Sequence, residues 1–213
     1  MEICRFTINP FQINCYIYWD QKTKEGLLID PGAYTQKEEN EILEFIEKKD
    51  IEIKYIINTH GHIDHILGNS FAKRNYDVPL MINKEDKFLV DNAEFQSKLF
   101  GLEIKDYPPF DKYIDESKSI KIGESDISFL HTPGHSPGSM CIIDIANKNV
   151  ITGDVLFRGS IGRTDLQGGD YQTLITNIKN KLLKVCKDDF IVYPGHNEST
   201  TIGYEKKYNP FLN

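Results

Sequence analysis

A chain of 213 residues with 39% hydrophobic and 27% charged side chains is long enough to bury a full core but short for two ordinary domains, so one domain over 1–213 is expected. No run approaches the roughly 18 apolar residues that a membrane span needs. The formal net charge of −7 gives no broad attraction to nucleic acid or to an anionic membrane, so neither is expected as a partner.

The opening stretch MEICRFTINPFQINCYIYWD lacks a basic region followed by an apolar region and a small-residue cleavage site, which predicts no signal peptide and a cytoplasmic protein. In that setting Cys4, Cys15, Cys141 and Cys186, with no close Cys-x-x-Cys pairing, read as reduced core thiols. Strand-like runs cover Ile3 to Ile8, Cys15 to Trp19 and Gly26 to Ile29, punctuated by Asn9-Pro10 and Pro31-Gly32. Thr35-Gln36-Lys37-Glu38 has the form of a capping box, and Ile42, Phe45 and Ile46 follow at helical spacing, predicting a helix over 35–49.

A strand over Ile53 to Ile57 runs into Asn58-Thr59-His60, and Ile63, Ile66, Leu67 and Phe71 then recur with helical period. Pro79 to Ile82 reads as a strand and Lys84 to about Lys105 as a helix. The second half holds strands at 118–122, 126–131, 139–145 and 149–153, with a hairpin at Gly123 and a turn at Asn147-Lys148-Asn149. Tyr171, Leu174, Ile175, Ile178 and Leu182 outline an amphipathic helix, and Phe190 to Tyr193 reads as the final strand before Pro194-Gly195-His196. Strands and helices thus alternate in two similar halves, with no repeat, low-complexity segment or flexible linker between them.

The chemistry concentrates in His60-Gly61-His62-Ile63-Asp64-His65, which holds three of the six histidines in the chain. In an extended turn, residues two apart project to one side, so His60 and His62 can grip one ion, while Asp64 and His65 point to a second where the chain starts to helix. Imidazole and carboxylate donors without thiolate suit an open, catalytic zinc, manganese or iron site rather than a closed structural zinc. Candidates for the further ligands follow apolar strands at Gly- or Pro-containing turns: His135, Asp154, which by itself also reads as a turn-capping aspartate, and His196. His131 reads either as a donor that orients a ligand or as a strand-end histidine with an ordinary hydrogen bond.

Thr59 to His65 (T-H-x-H-x-D-H), Thr132 to Ser139 (T-P-G-H-S-P-G-S), Gly153-Asp154 and Pro194 to His196 together resemble, in order, the motifs of the metallo-β-lactamase superfamily. Gly153 to Asp165 and the tail Thr201 to Phe211 are similar to its short glyoxalase II-type hydrolases. The resemblance implies a four-layer αβ/βα sandwich of two mixed sheets with helices outside. It also implies that His60, His62 and His135 hold one metal, that Asp64, His65 and His196 hold another, and that Asp154 bridges them. Two divalent ions are implied, zinc first, with iron or manganese as alternatives. Only seventeen residues follow His196, so no separate C-terminal helical substrate domain is expected.

The activity implied is thioester hydrolysis on a small acyl thioester, S-lactoylglutathione or a relative, by attack of a metal-bridging hydroxide. Asp64 and Asp154 would be the catalytic carboxylates, Asp64 orienting the hydroxide or taking its proton. A mononuclear iron persulfide dioxygenase, a lactonase or a β-lactamase on the same ligand set are the alternatives, and a non-catalytic scaffold is the remaining class. In the glycine-rich loop Arg158 to Asp170, Arg163 reads either as paired with a nearby carboxylate or as an anion-binding rim; Lys206 and Lys207 either hold a carboxylate or are solvated. The oligomeric state is left open.

Overall fold

The first apolar runs form β1 (Glu2–Ile8), β2 (Ile13–Trp19) and β3 (Glu25–Ile29), joined antiparallel. The computed structural model describes residues 1–104 and 107–212. It divides the chain into two compact units, Met1–Tyr113 with Ile122–Ser125, and Ile114–Lys121 with Asp126–Asn213. In the first unit every residue of β2 is buried, Asn14 included, which suits its largely apolar run to an interior strand.

Helix α1 (Gln36–Lys49) starts where the capping box predicts. Glu38 N donates to Thr35 Oγ1 at 3.3 Å, and Thr35 N donates to Glu38 Oε2 at 2.9 Å. Its buried Ile42 and Ile46 pack with Ile17, Leu28, Ile53 and Ile56 into one core. The chain then enters β4 (Glu52–Ile57) parallel to β3; β5 (Leu80–Asn83) lies parallel to β4, and β6 (Lys112–Ile114) completes the order β1-β2-β3-β4-β5-β6.

Two helix expectations change. The repeat from Ile63 to Phe71 is split into α2 (Ile63–Ile66) and α3 (Asn69–Asn75). Between them Gly68 packs so closely that a Cβ there would lie 2.2 Å from Pro31 O, a backbone approach that periodicity does not report. Similarly, Lys84 to Lys105 is not one helix but a short tight turn over Lys84–Asp86, then α4 (Lys87–Asp91) and α5 (Ala93–Leu99). Asn92 breaks it by folding its amide back to donate to Phe88 O at 2.7 Å, and Gly101 at φ +67° follows α5. The chain from Leu102 to Ile104 is irregular, and the expected end at Lys105 lies outside the described residues.

The second sheet contains β7 (Ser119–Ile122), β8 (Ser125–His131), β9 (Met140–Asp144) and β10 (Asn149–Gly153). A small hairpin, β11 (Leu156–Phe157) and β12 (Ser160–Ile161), follows. Next come α6 (Tyr171–Asn177), a wider π-type turn over Ile178–Leu182, and α7 (Leu183–Val185). Strand β13 (Ile191–Pro194) runs parallel to β10, but it is not the last element. It is followed by β14 (Thr200–Thr201) and α8 (Ile202–Tyr208), giving the order β14-β13-β10-β9-β8-β7. Both late elements are too short for periodicity to show; the local signal for α8 is Thr201, whose Oγ1 accepts from Tyr204 N at 3.1 Å. The core of this unit is built from Cys141, Ile143, Val150, Leu174, Ile178 and Val192.

The result is two mixed sheets, each with helices of its own. All four cysteines are free thiols. Among the described residues no helix is long and apolar enough to cross a membrane.

Candidate metal centre

In the first unit, β4 delivers His60 to a turn that becomes α2 at Ile63, so four donor side chains share one strand-to-helix bend. His60, His62 and His65 are buried, with the His60 ring centre 4.8 Å from that of His62 and 4.1 Å from that of His65. His65 Nε2 lies 3.8 Å from Asp64 Oδ2. Burying this many polar groups together is costly unless each has a partner.

A carboxylate from another strand supplies several of those partners. Asp30, at the end of β3, is buried and accepts at Oδ1 from Thr59 N and at Oδ2 from Thr59 Oγ1, both at 2.7 Å. With its proton given to Asp30, the Thr59 hydroxyl is an acceptor for His60 Nδ1 at 3.1 Å. Asp30 Oδ2 also stands 3.0 Å from His65 Nδ1. The hydrogen bond at His60, and at His65 the charge of Asp30 at an angle short of a hydrogen bond, favour the proton on Nδ1 of each ring and leave Nε2 with a lone pair for a metal.

The backbone of the bend is held as firmly. Buried Asp86 accepts from Gly61 N at 2.8 Å, between the two histidines, and a Cβ on Gly61 would meet Asp86 O and Leu89 Cβ at 3.0 Å each. Asn58 Nδ2 donates to His65 O at 3.0 Å, and Asn9 Nδ2 donates to Asp64 O at 2.9 Å.

In the second unit His135 and His196 flank one carboxylate. Asp154 Oδ2 lies 3.6 Å from His135 Nε2 and 3.5 Å from His196 Nε2. These separations exceed a hydrogen bond but match donors sharing an ion, since tetrahedral bonds of about 2.0–2.1 Å put ligand atoms about 3.4 Å apart. His135 Nδ1 sits 2.7 Å from Arg163 O, and a carbonyl only accepts, so here too Nε2 carries the lone pair. Gly195 N donates to Gly153 O at 2.8 Å, which brings His196 beside Asp154. Gly162 passes so near that a Cβ would lie 1.8 Å from Asp154 O.

The donor set fits a divalent ion of the zinc, iron or manganese kind. Thiolates take no part: burial pushes the Cys141 and Cys186 thiols up to about 12.

A model of the metallo-β-lactamase superfamily matches residues 8–196. The chain belongs to the metallo-β-lactamase superfamily. It is 40% identical to the hydroxyacylglutathione hydrolase GloC of Haemophilus influenzae over 215 residues, covering 100% of this chain and 99% of that protein. The crystal structure of BLEG-1 B3 metallo-β-lactamase is similar over 100% of both chains, at 34% identity and a TM-score of 0.90. That of TTHA1623 in a di-iron-bound form is similar over 98% of this chain and 100% of its own, at 32% identity and a TM-score of 0.86. The two mixed sheets with flanking helices are thus the metallo-β-lactamase fold, and the chain is a metal-dependent hydrolase that binds divalent metal through His and Asp side chains.

His131, Arg163 and Lys206 each have a partner of their own. His131 Nε2 donates to Pro137 O at 2.7 Å and its N–H to Glu116 Oε1 at 2.7 Å, ordinary strand-end hydrogen bonds that brace the loop carrying His135. Arg163 makes a two-pronged contact with Asp165, Nε to Oδ1 and Nη2 to Oδ2 at 2.7 Å each, and both are exposed. Lys206 pairs with Asp188 at 2.6 Å.

Asp30, Asn58 and Asp86 escaped the sequence reading. Asp30 and Asn58 had a weak signal, a polar residue at the end of an apolar run. Asp86 had none, because it acts on a bend 25 residues away.

Proposed function

We propose, from the order of the chain's motifs along the superfamily pattern, that His60, His62 and His135 serve one ion and Asp64, His65 and His196 the other, with Asp154 shared. On this reading the chain is a single superfamily domain that hydrolyses an acyl thioester in the cytoplasm, where four free cysteines are at home. The observation that carries the substrate class is the similarity to GloC along the whole of both chains.

Divalent ions held by these residues, zinc on this reading, would supply Lewis acidity that lowers the pKa of a water toward neutrality and polarises the acyl carbonyl. The residues of the chain do the rest. Asp30, directly at His65 and through Thr59 at His60, keeps those imidazoles in the tautomer that donates from Nε2, and Arg163 O does the same for His135. Asp64 orients the attacking water and accepts its proton. Asp154, between His135 and His196, spaces the ligands and needs no reorganisation as charge develops. The C–S bond breaks as the thiolate leaves and takes up the proton held by Asp64, and the carboxylic acid product releases its own proton to solvent; water is the nucleophile throughout.

The test couples metal analysis to a substrate panel of S-lactoylglutathione, a second thioester, a lactone, a β-lactam and a persulfide. The expected result is two zinc ions per chain, thioester cleavage above the rest, and loss of activity in Asp64→Asn and Asp154→Asn. Full activity in metal-free protein sinks the reading. A second reading, β-lactam hydrolysis, is favoured by the similarity to BLEG-1, and iron as the metal by that to TTHA1623; the same panel and metal analysis decide both.

A further inference from the structure

The tail presents a surface that the hydrolytic residues do not use. Along α8 and the turn between β11 and β12, two adjacent rings lie between two cations. The Arg158 guanidinium lies 5.7 Å from the Tyr204 ring centre, the Tyr204 and Tyr208 rings are 5.0 Å apart, and Lys207 Nζ is 4.8 Å from the Tyr208 ring. Tyr204 is 41% and Tyr208 55% exposed. Arg163 and Lys206 are neutralised by Asp165 and Asp188, whereas no carboxylate among the described residues lies within ion-pairing distance of Arg158 or Lys207.

This row is braced from beneath. Glu205, fully buried, accepts from Gly159 N at 2.9 Å, from Asn209 Nδ2 at 2.8 Å and from Thr200 Oγ1 at 2.6 Å, and Asn209 Nδ2 also donates to Ser160 O at 2.9 Å. The hairpin that carries Arg158 and the helix that carries the rings are therefore one piece. That piece also reaches the ligand set, because Phe157, next to Arg158, sets its ring edge-on to His196 at 6.1 Å.

Exposed rings beside unneutralised cations take planar anionic groups: a base stacks while phosphates meet the charge. A ligand with carboxylates alone would use the cations and leave the rings idle, and a purely apolar acyl chain would do the reverse. In a chain of net charge −7, local charge complementarity then favours a phosphorylated, ring-bearing group.

We propose that this row binds the nucleotide end of an acyl thioester of the coenzyme A kind, its carrier arm leading past Phe157 to His196. The inference rests on the thioesterase reading and names the thiol half of the substrate.

The experiment uses the metal-loaded enzyme in two arms. In the first, one acyl group is offered on N-acetylcysteamine, glutathione and coenzyme A; the coenzyme A ester is expected to have the highest kcat/KM, by about tenfold, through a lower KM. In the second, desulfo-coenzyme A binding is measured by calorimetry. Arg158→Ala and Tyr208→Ala should each weaken it about tenfold, Tyr208→Phe should restore it, and Lys179→Ala, at an exposed lysine that is not one of the row's residues, should not change it. Failure of desulfo-coenzyme A to bind, or equal binding by wild type and both alanine variants, overturns the proposal. If a glutathione or N-acetylcysteamine ester is cleaved without that binding, this inference falls alone. If desulfo-coenzyme A binds at the row and no thioester is cleaved, the thioesterase reading falls and the nucleotide site stands.

Discussion

The two units present metal-binding side chains by different means. In the first, four donors sit within six consecutive residues, and side-chain carboxylates from elsewhere, Asp30 and Asp86, hold them. In the second, the donors are far apart in sequence, and backbone does the holding: Arg163 O at His135, Gly153 O beneath Gly195, and Gly162 pressed on Asp154. A contiguous motif has little local backbone left to orient its own rings, so it borrows charge. Dispersed ligands arrive with loops whose carbonyls already lie alongside, so close packing at glycine suffices.

The contrast can be broken most severely in the second unit. Gly162→Ala places a methyl 1.8 Å from Asp154 O, against backbone that cannot swing aside. A stability loss of about 3 kcal/mol, read as a lower midpoint in denaturant, is expected there. An unchanged midpoint would mean that this loop shifts freely and that backbone packing is not what presents Asp154.

A smaller effect tests the first unit. Asp30→Asn keeps an acceptor for Thr59 N but turns an amide toward Thr59 Oγ1 and His65 Nδ1, so two ligand imidazoles lose their tautomer control. Chelator competition should show metal affinity lower by about 10–100-fold. Nitrogen-resolved NMR of the histidines should show His60 and His65 mixing tautomers, which a general loss of stability would not produce.

The smallest effect sharpens how far the borrowing of charge extends. Glu38 completes the α1 capping box and also accepts from Asn9 N at 2.7 Å, while Asn9 Nδ2 reaches Asp64 O. Burial pushes the Glu38 carboxyl up, but the N–H groups of Thr35, Tyr34 and Asn9 outweigh it and hold it below its ordinary 4.5. A lowered folded value means that this stability is present above about pH 4.5 and is lost as pH falls through the folded value. Glu38→Gln should thus cost up to about 1 kcal/mol at neutral pH, discounted for its solvent exposure, and the gap to wild type should close in acid.

The same difference explains what was readable. The His60 to His65 run declares itself because its donors are adjacent and the spacing has a direct geometric meaning. His135, Asp154 and His196 were legible only through their order along a family pattern, since each alone is an ordinary turn residue. The long strands and α1 follow from alternation and a capping box, whereas the breaks at Gly68 and Asn92 arise from a close approach to Pro31 and a side-chain amide folded onto Phe88. Strand β14 and helix α8 are too short to carry a period at all.

Sequence by itself determined the kinds of donor, their order, the superfamily and the alternation of strands and helices, because these depend on residue type and short-range spacing. Tertiary structure alone decided which nitrogen of His60, His65 and His135 faces a metal, and that Arg163 spends its charge on Asp165 while Arg158 keeps its own for the tyrosine row. Proton position and charge neutralisation depend on which groups lie within about 3 Å. In each case the deciding neighbour comes from folding, from Asp30 at the end of another strand to Asp165 turning toward Arg163, while among the described residues no carboxylate comes within ion-pairing distance of Arg158.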